Sequence, residues 1–232
     1  MLVPGAGGSG WYWHRVVAEL AQRGHQPVPV DLPGADPVAG LPEYRERIVD
    51  AARSVGAPVT LVAQSLGGFS APLACEHVAV DRLILVNAMI PQTGETAGEW
   101  WEAVGWQAEA RASAERDGRP EPDVNDADTV FFHDLPPDLA DVMRSDPEAG
   151  AEGPAVFTQP WPLAGWPDVP TTVLAGCGDR LFPLALQRRV ARQRLDLGVE
   201  ELPGGHLIAL SQPVALAEAI ALPCERGWSH SV

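Results

Sequence analysis

The chain has 232 residues, 46% of them apolar, which is enough for one domain with a sizeable core and room for an inserted subdomain. Its formal net charge is -15, from 31 acidic and 16 basic residues, and no stretch forms a basic stripe, so nucleic acid and anionic membrane surfaces are not expected as partners. Every basic residue is an arginine, which excludes a lysine nucleophile or Schiff base from this sequence.

Cys75, Cys177 and Cys224 are far apart and odd in number. They offer neither a metal spacing nor a disulfide framework, so no metal is expected and a reducing cytoplasm is the default. No apolar run reaches about 18 residues and no signal-peptide pattern is present. The expectation is a soluble cytoplasmic protein with a small-molecule substrate and no membrane segment. Its oligomeric state is left open.

In chain order, Leu2-Val3 is a first strand, followed by the glycine-rich turn PGAGGSG. Such a start implies either an unusually short strand or a natural chain beginning further upstream; in the second case an apolar extension would raise stability. A helix near Trp11 to Arg23 places Trp13, Val16, Val17 and Leu20 on one face. Pro27 to Val30 reads as a second strand ended by the DLPG turn, and Glu43 to Ser54 as a helix. Val59 to Val62 is a third strand, and Leu66 to His77 the helix after it. Leu83 to Val86, Thr171 to Ala175 and Val199 to Leu202 are the fourth, fifth and sixth strands. Helices near Pro183 to Arg194 and Val214 to Ala221 follow the last two.

This alternation of aliphatic strands with helices predicts the α/β class: a mostly parallel sheet of about six strands covered by helices on both faces. Sites in such sheets lie at the carboxyl ends of the strands. From 91 to 167 no strand is evident. That segment holds Trp100, Trp101, Trp106, Trp161 and Trp166 with Phe131 and Phe132, and helical patterns around Glu99 to Glu115 and Asp138 to Arg144. An insertion of this size is expected to be a helical cap rather than a structureless loop. The predicted organisation is therefore a core of 1–90 and 168–222, a cap of 91–167, and a disordered tail of 223–232.

The chemistry centres on AQSLGG, residues 63 to 68, directly behind the third strand. A strand feeding a small-residue turn and then a helix suits a nucleophile elbow of the G-x-S-x-G kind, with Ser65 exposed at the turn and Ala63 in place of the first glycine. The competing reading of Ser65 is an ordinary helix N-cap. A nucleophilic serine needs a base, and the base an orienting carboxylate. His206, in LPGGH after the last strand, is the candidate base, against a reading as a solvated loop histidine. Asp179, in AGCGD after the fifth strand, is the candidate acid, against a turn-forming aspartate. His14, His25, His77 and His230 read as structural. Their joint order distinguishes Ser65, Asp179 and His206, because each stands behind a different parallel strand, as in α/β-hydrolases.

Acyl transfer also needs N–H donors for the developing oxyanion, each worth roughly 3 kcal/mol when removed. The donors expected are Leu66, after the nucleophile, and Ala6 in the glycine turn. That turn could alternatively cradle a phosphate, but the chain has no G-K-[ST] sequence. Trp101, Phe132, His133 and Trp161 are candidates for lining a substrate pocket under the cap, although the tryptophans could equally be its hydrophobic core.

VPGAGGSGWYW, AQSLGG, GCGDRLFP and PGGHLIALSQP together resemble the oxyanion loop, elbow, acid turn and histidine loop of the α/β-hydrolase superfamily over nearly the whole chain. Within it, the chain is closest in style to the small, cofactor-free group of plant methylesterases and hydroxynitrile lyases and their bacterial relatives. The resemblance implies Ser65 as nucleophile, Asp179 as acid, His206 as base, and Ala6 and Leu66 as oxyanion donors, with no cofactor. Hydroxynitrile lyases of that group carry a lysine after the histidine, where this chain has Leu207, so hydrolysis of a carboxylic ester or thioester through an acyl-enzyme is the implied chemistry. The alternatives are a non-hydrolytic cyclase or binding protein of a biosynthetic pathway on the same scaffold, and a structural module.

Overall fold

The computed structural model describes residues 1–56, 58–145 and 151–222. In chain order the elements are β1 (Leu2–Val3), α1 (His14–Gln22), α2 (Leu41–Val55), β2 (Val59–Gln64), α3 (Gly67–Ser70) and β3 (Val80–Val86). Five further helices follow: α4 (Ala97–Ala103), α5 (Trp106–Arg116), α6 (Ala127–Val130), α7 (Pro137–Ser145) and α8 (Ala155–Thr158). The chain then returns through β4 (Thr171–Gly176), α9 (Leu184–Leu195), β5 (Glu200–Leu202), α10 (Ile208–Ser211) and α11 (Pro213–Ala221).

The five strands are all parallel, in the order β1-β2-β3-β4-β5. Side chains alternate across the sheet with period two. Val3, Leu61, Ala63, Leu83, Leu85 and Val173 enter one apolar cluster, with residues of α2 and α9. Leu2, Val62, Ile84, Val86 and Leu174 enter the other, with residues of α1, α10 and α11. Both faces are thus covered, which explains why the strands read as continuous apolar runs.

The second of the six strands expected, Pro27 to Val30, is reduced to a single bridge in which Leu2 N–H donates to Val28 O and Val30 N–H donates to Leu2 O. Pro27 and Pro29 occupy the alternate positions, whose missing N–H groups would have pointed away from β1. The segment can pair inward but offers no N–H outward at its proline positions, as at a protected sheet edge. β1 therefore lies between this segment and β2, and the chain crosses from one side of β1 to the other through α2. The crevice at such a switch point is where α/β sheets bind ligands.

Two predicted helices are broken for local reasons. The Leu66 to His77 stretch is the four-residue α3 followed by a 3-10 helix at Ala71–Glu76, since Pro72 has no N–H to continue an α-helix. The Glu99 to Glu115 pattern is split into α4 and α5 at Gly105, which takes φ 62. Both α4 and the core are fastened by indoles: Trp100 donates to Ile90 O at 3.1 Å, Trp161 to Phe69 O at 3.1 Å, and Trp166 to Thr171 Oγ1 at 3.0 Å. At ~25 cal/mol per Å² and roughly 150–250 Å² per aromatic side chain, each buried ring contributes on the order of 4–6 kcal/mol before entropy is subtracted. The predicted tail 223–232, with Cys224 and His230, lies outside the described residues.

Candidate active site

Ser65 sits at the turn between β2 and α3 with φ 51, a left-handed conformation that costs a non-glycine residue energy and marks an elbow. Its N–H donates to Val86 O, and its own carbonyl accepts from Gly68 N–H and Met89 N–H, so neighbouring strand ends brace the strained peptide. The small residues around it answer specific contacts. A Cβ on Gly68 would collide with Met89 O, one on Gly67 would lie 2.8 Å from Pro4 O, and one on Gly5 would lie 2.8 Å from Ser65 Cβ. Ala63, by contrast, points its methyl into the apolar cluster and is fully buried.

The three residues expected to act together are brought together. His206 Nε2 is 3.0 Å from Ser65 Oγ, and His206 Nδ1 is 2.8 Å from Asp179 Oδ2. All three are buried; even Ser65 keeps only 8% of its surface. Asp179 Oδ1 accepts the N–H groups of Leu181 and Phe182 at 2.8 Å each, which orients its other oxygen toward the imidazole. Gln187 Nε2 donates to Phe182 O at 2.7 Å and lies 3.5 Å from Asp179 Oδ2. The carboxylate thus has acceptor work for both oxygens in a buried setting, as an ionised group there requires.

Two aromatic rings flank the imidazole: Phe182 at 5.1 Å between centroids, perpendicular, and Phe131 at 5.6 Å. Phe131, not Phe132, is the ring at the histidine; Phe132 packs toward the other apolar cluster. Trp101 reaches the site through Phe182, with centroids 5.4 Å apart. Trp161 is in the packed core, 6.0 Å from Trp166 and bonded to Phe69 O. His133 is half-buried beside Gly205, where burial and then the Arg180 guanidinium hold its imidazole below the usual histidine range. Its Nδ1 has no partner among the described residues. A void of about 10 Å³ behind the acid, between Ile90, Trp100, Phe182 and Gln187, has room for at most one water.

Ala6 lies in the turn after β1 that packs against the elbow, and Leu66 follows Ser65 at the mouth of α3. The same turn spells G-x-G-x-x-G from Gly5 to Gly10, with Asp31 standing 21 residues beyond Gly10, a spacing that also suits a dinucleotide loop. The structure uses these groups internally instead: Asp31 Oδ1 accepts Gly10 N–H at 2.8 Å, and Glu152 Oε2 accepts Gly7 N–H at 2.9 Å. Glu152 also receives the Tyr44 hydroxyl, and burial raises its carboxyl above the usual range.

Several residues at the site had no forecast. Gln64, Asn87 and Asp134 all touch the histidine loop. The available signal was a polar residue at the carboxyl end of an apolar strand, where Gln64 and Asn87 both stand. Asp134 had none, because its partner Gly205 is 71 residues away.

A model of the alpha/beta hydrolase family matches residues 1–219. A probable esterase, PIR7A of Oryza sativa subsp. indica, is 35% identical over 109 residues, covering 42% of this chain and 41% of its own length. The chain thus aligns with less than half the length of that curated relative. Among solved structures, a pyrethroid hydrolase from Sphingobium faniae superimposes with TM-score 0.72 at 24% identity, over 95% of this chain and 94% of the other. Polyneuridine aldehyde esterase superimposes with TM-score 0.75 at 20% identity, over 94% and 96%. No helix among the described residues is long and apolar enough to cross a membrane.

Proposed function

Because this chain belongs to the alpha/beta hydrolase family, we propose that it is a serine esterase, cleaving a carboxylic ester or thioester of a small, partly apolar substrate through an acyl-enzyme. The observation that carries the reading is the buried relay Ser65 Oγ, His206, Asp179, with contacts of 3.0 and 2.8 Å.

In this mechanism Ser65 Oγ attacks the carbonyl carbon while its proton passes to His206 Nε2. Asp179 holds Nδ1–H and so keeps Nε2 free to accept. The oxyanion is received by the N–H groups of Ala6 and Leu66. Collapse expels the alcohol or thiol, which takes the proton from His206. Water, losing a proton to the same nitrogen, then attacks the acyl group and releases the acid and Ser65. Phe131 and Phe182 keep the imidazole plane fixed and dry, and the residues of 91–167 form a cap whose aromatic side chains favour an apolar acyl or alcohol part.

A fluorophosphonate probe tests this directly. It is expected to label the wild-type chain at Ser65 and to leave Ser65→Ala unlabelled, and ester turnover is expected to fall at least about 10⁴-fold in that variant. Folded wild-type protein that neither takes the label nor turns over any of a panel of p-nitrophenyl esters and acyl-CoA thioesters of graded chain length would sink the reading. The panel's chain-length optimum defines the acyl part.

A further inference from the structure

His206 stands on a loop that its own sequence leaves loosely defined. β5 before it supplies only three register pairs to β4, and the loop continues through Gly204, at φ 112, and Gly205. Glycine backbone has the widest conformational choice of any residue, so continuity alone does not decide where the imidazole lies. Something else must hold it 2.8 Å from Asp179.

Asn87 is the first residue after β3, fully buried, with φ 46. Its N–H donates to Leu174 O at 3.0 Å, and the left-handed turn sends its side chain into the gap between the end of β4 and the histidine loop. Both ends of the amide are used there. Nδ2 donates to Gly205 O at 2.9 Å and to His206 O at 3.2 Å, and Oδ1 accepts Gly176 N–H at 2.7 Å. Gly176 in turn opens the turn that carries Asp179, accepting Asp179 N–H at 3.1 Å. The same loop is also held by Asp134 Oδ2, which accepts Gly205 N–H at 2.6 Å, by Gly178 N–H, which donates to Gly204 O at 2.9 Å, and more weakly by Gln64 Nε2, 3.3 Å from His206 O. Among the described side chains outside Ser65, Asp179 and His206, Asn87 alone bonds both this loop and the acid turn.

We propose that Asn87 is a positioning residue of this site, joining the backbone that carries His206 to the turn that carries Asp179 through one buried side-chain amide. The inference rests on the reading of His206 as the base. It requires both polarities of the amide. A donor alone could not take Gly176 N–H, and an acceptor alone would face two carbonyl oxygens. It also accounts for a non-glycine residue tolerating positive φ, which asparagine does more readily than most.

The test uses the full chain carrying Asn87→Gly or Asn87→Asp. Glycine adopts the observed φ without strain, so it removes the amide alone. Aspartate keeps the shape and the acceptor but has no hydrogens for the two carbonyls. In folded protein of either variant, kcat on a p-nitrophenyl ester is expected to fall about 100-fold, as for an ångström-scale misplacement, with KM little changed. Fluorophosphonate labelling of Ser65 slows in parallel. The low-field Nδ1–H proton signal of His206 shifts or broadens, and exchange of the Gly176 amide speeds up in Asn87→Gly. A purely structural role would lower the thermal midpoint and leave kcat and that proton signal where they were. Folded Asn87→Gly with wild-type kcat and an unmoved His206 signal overturns the proposal. If the wild type itself neither labels nor turns over esters, the hydrolase reading fails, and the His206 signal with Gly176 exchange still decides the clamp. Should the glycine variant not fold, the isosteric aspartate variant carries the same measurements.

Discussion

Ala63 shows how one residue separates a motif from the physics it stands for. A glycine two residues before the serine is demanded only where its Cβ would meet another backbone. Here that crowding falls on Gly5, Gly67 and Gly68, while Ala63 packs against apolar neighbours. Ala63→Gly is therefore expected to cost about 1–2 kcal/mol, from a lost buried methyl and added chain entropy, with the Ser65 labelling rate unchanged in folded protein. Urea denaturation and labelling kinetics measure the two halves of that statement. Glu152 offers a second test. Its carboxyl is raised in the folded chain by burial, so the folded state holds its proton where the unfolded state has lost it. Stability from this group is present below the unfolded carboxylate pKa and declines as pH rises through the folded value. Glu152→Gln can keep its oxygen on Gly7 N–H and donate its amide to the Tyr44 oxygen. Its thermal midpoint is expected to exceed the wild-type value at pH 8, with the gain fading toward pH 4.

Among the elements, α9 shows that a surface helix can be tied to the segment after β3 by charge. Arg194 Nη2 donates to Glu95 Oε1 at 2.8 Å, and Nη1 to Glu95 Oε2 and Ile90 O at 2.5 Å each. Both side chains are over nine-tenths buried. Arg194→Met strands the Glu95 carboxylate away from water, and the expected cost is about 3–5 kcal/mol in urea unfolding. Arg194→Met with Glu95→Gln should recover most of that loss, because the penalty comes from the unpaired charge. Elements with strong local signals were legible: β2 before the elbow, β4 before the acid turn, and α11. Pro27 to Val30 was not, since its strand-like composition says nothing about which N–H groups face a partner. α6 and α8, at four residues each, are too short for periodicity to register.

For the molecule as a whole, the burial of Ser65 has a consequence for access. With 8% of its surface exposed, Ser65 offers a substrate only a narrow approach. Second-order labelling rates are therefore expected to fall steeply from a small phosphonofluoridate to a bulky-headed one, measured on the same folded sample. Equal rates would mean that this approach does not limit entry.

The division between local and long-range information runs through the site itself. The sequence alone determined which candidate residues were present and at which strand ends, because a strand-to-helix turn with its glycines is a local structure and the order Ser65, Asp179, His206 is linear. It did not determine which aromatic ring meets the imidazole, where the glycine loop spends its N–H groups, or what holds His206. Those depend on pairs such as Asn87 with Gly205, 118 residues apart, and Gly7 with Glu152, 145 apart. Only closing the sheet and packing the connecting segments against it brings such groups within hydrogen-bonding distance, and no period or spacing along the chain encodes that meeting.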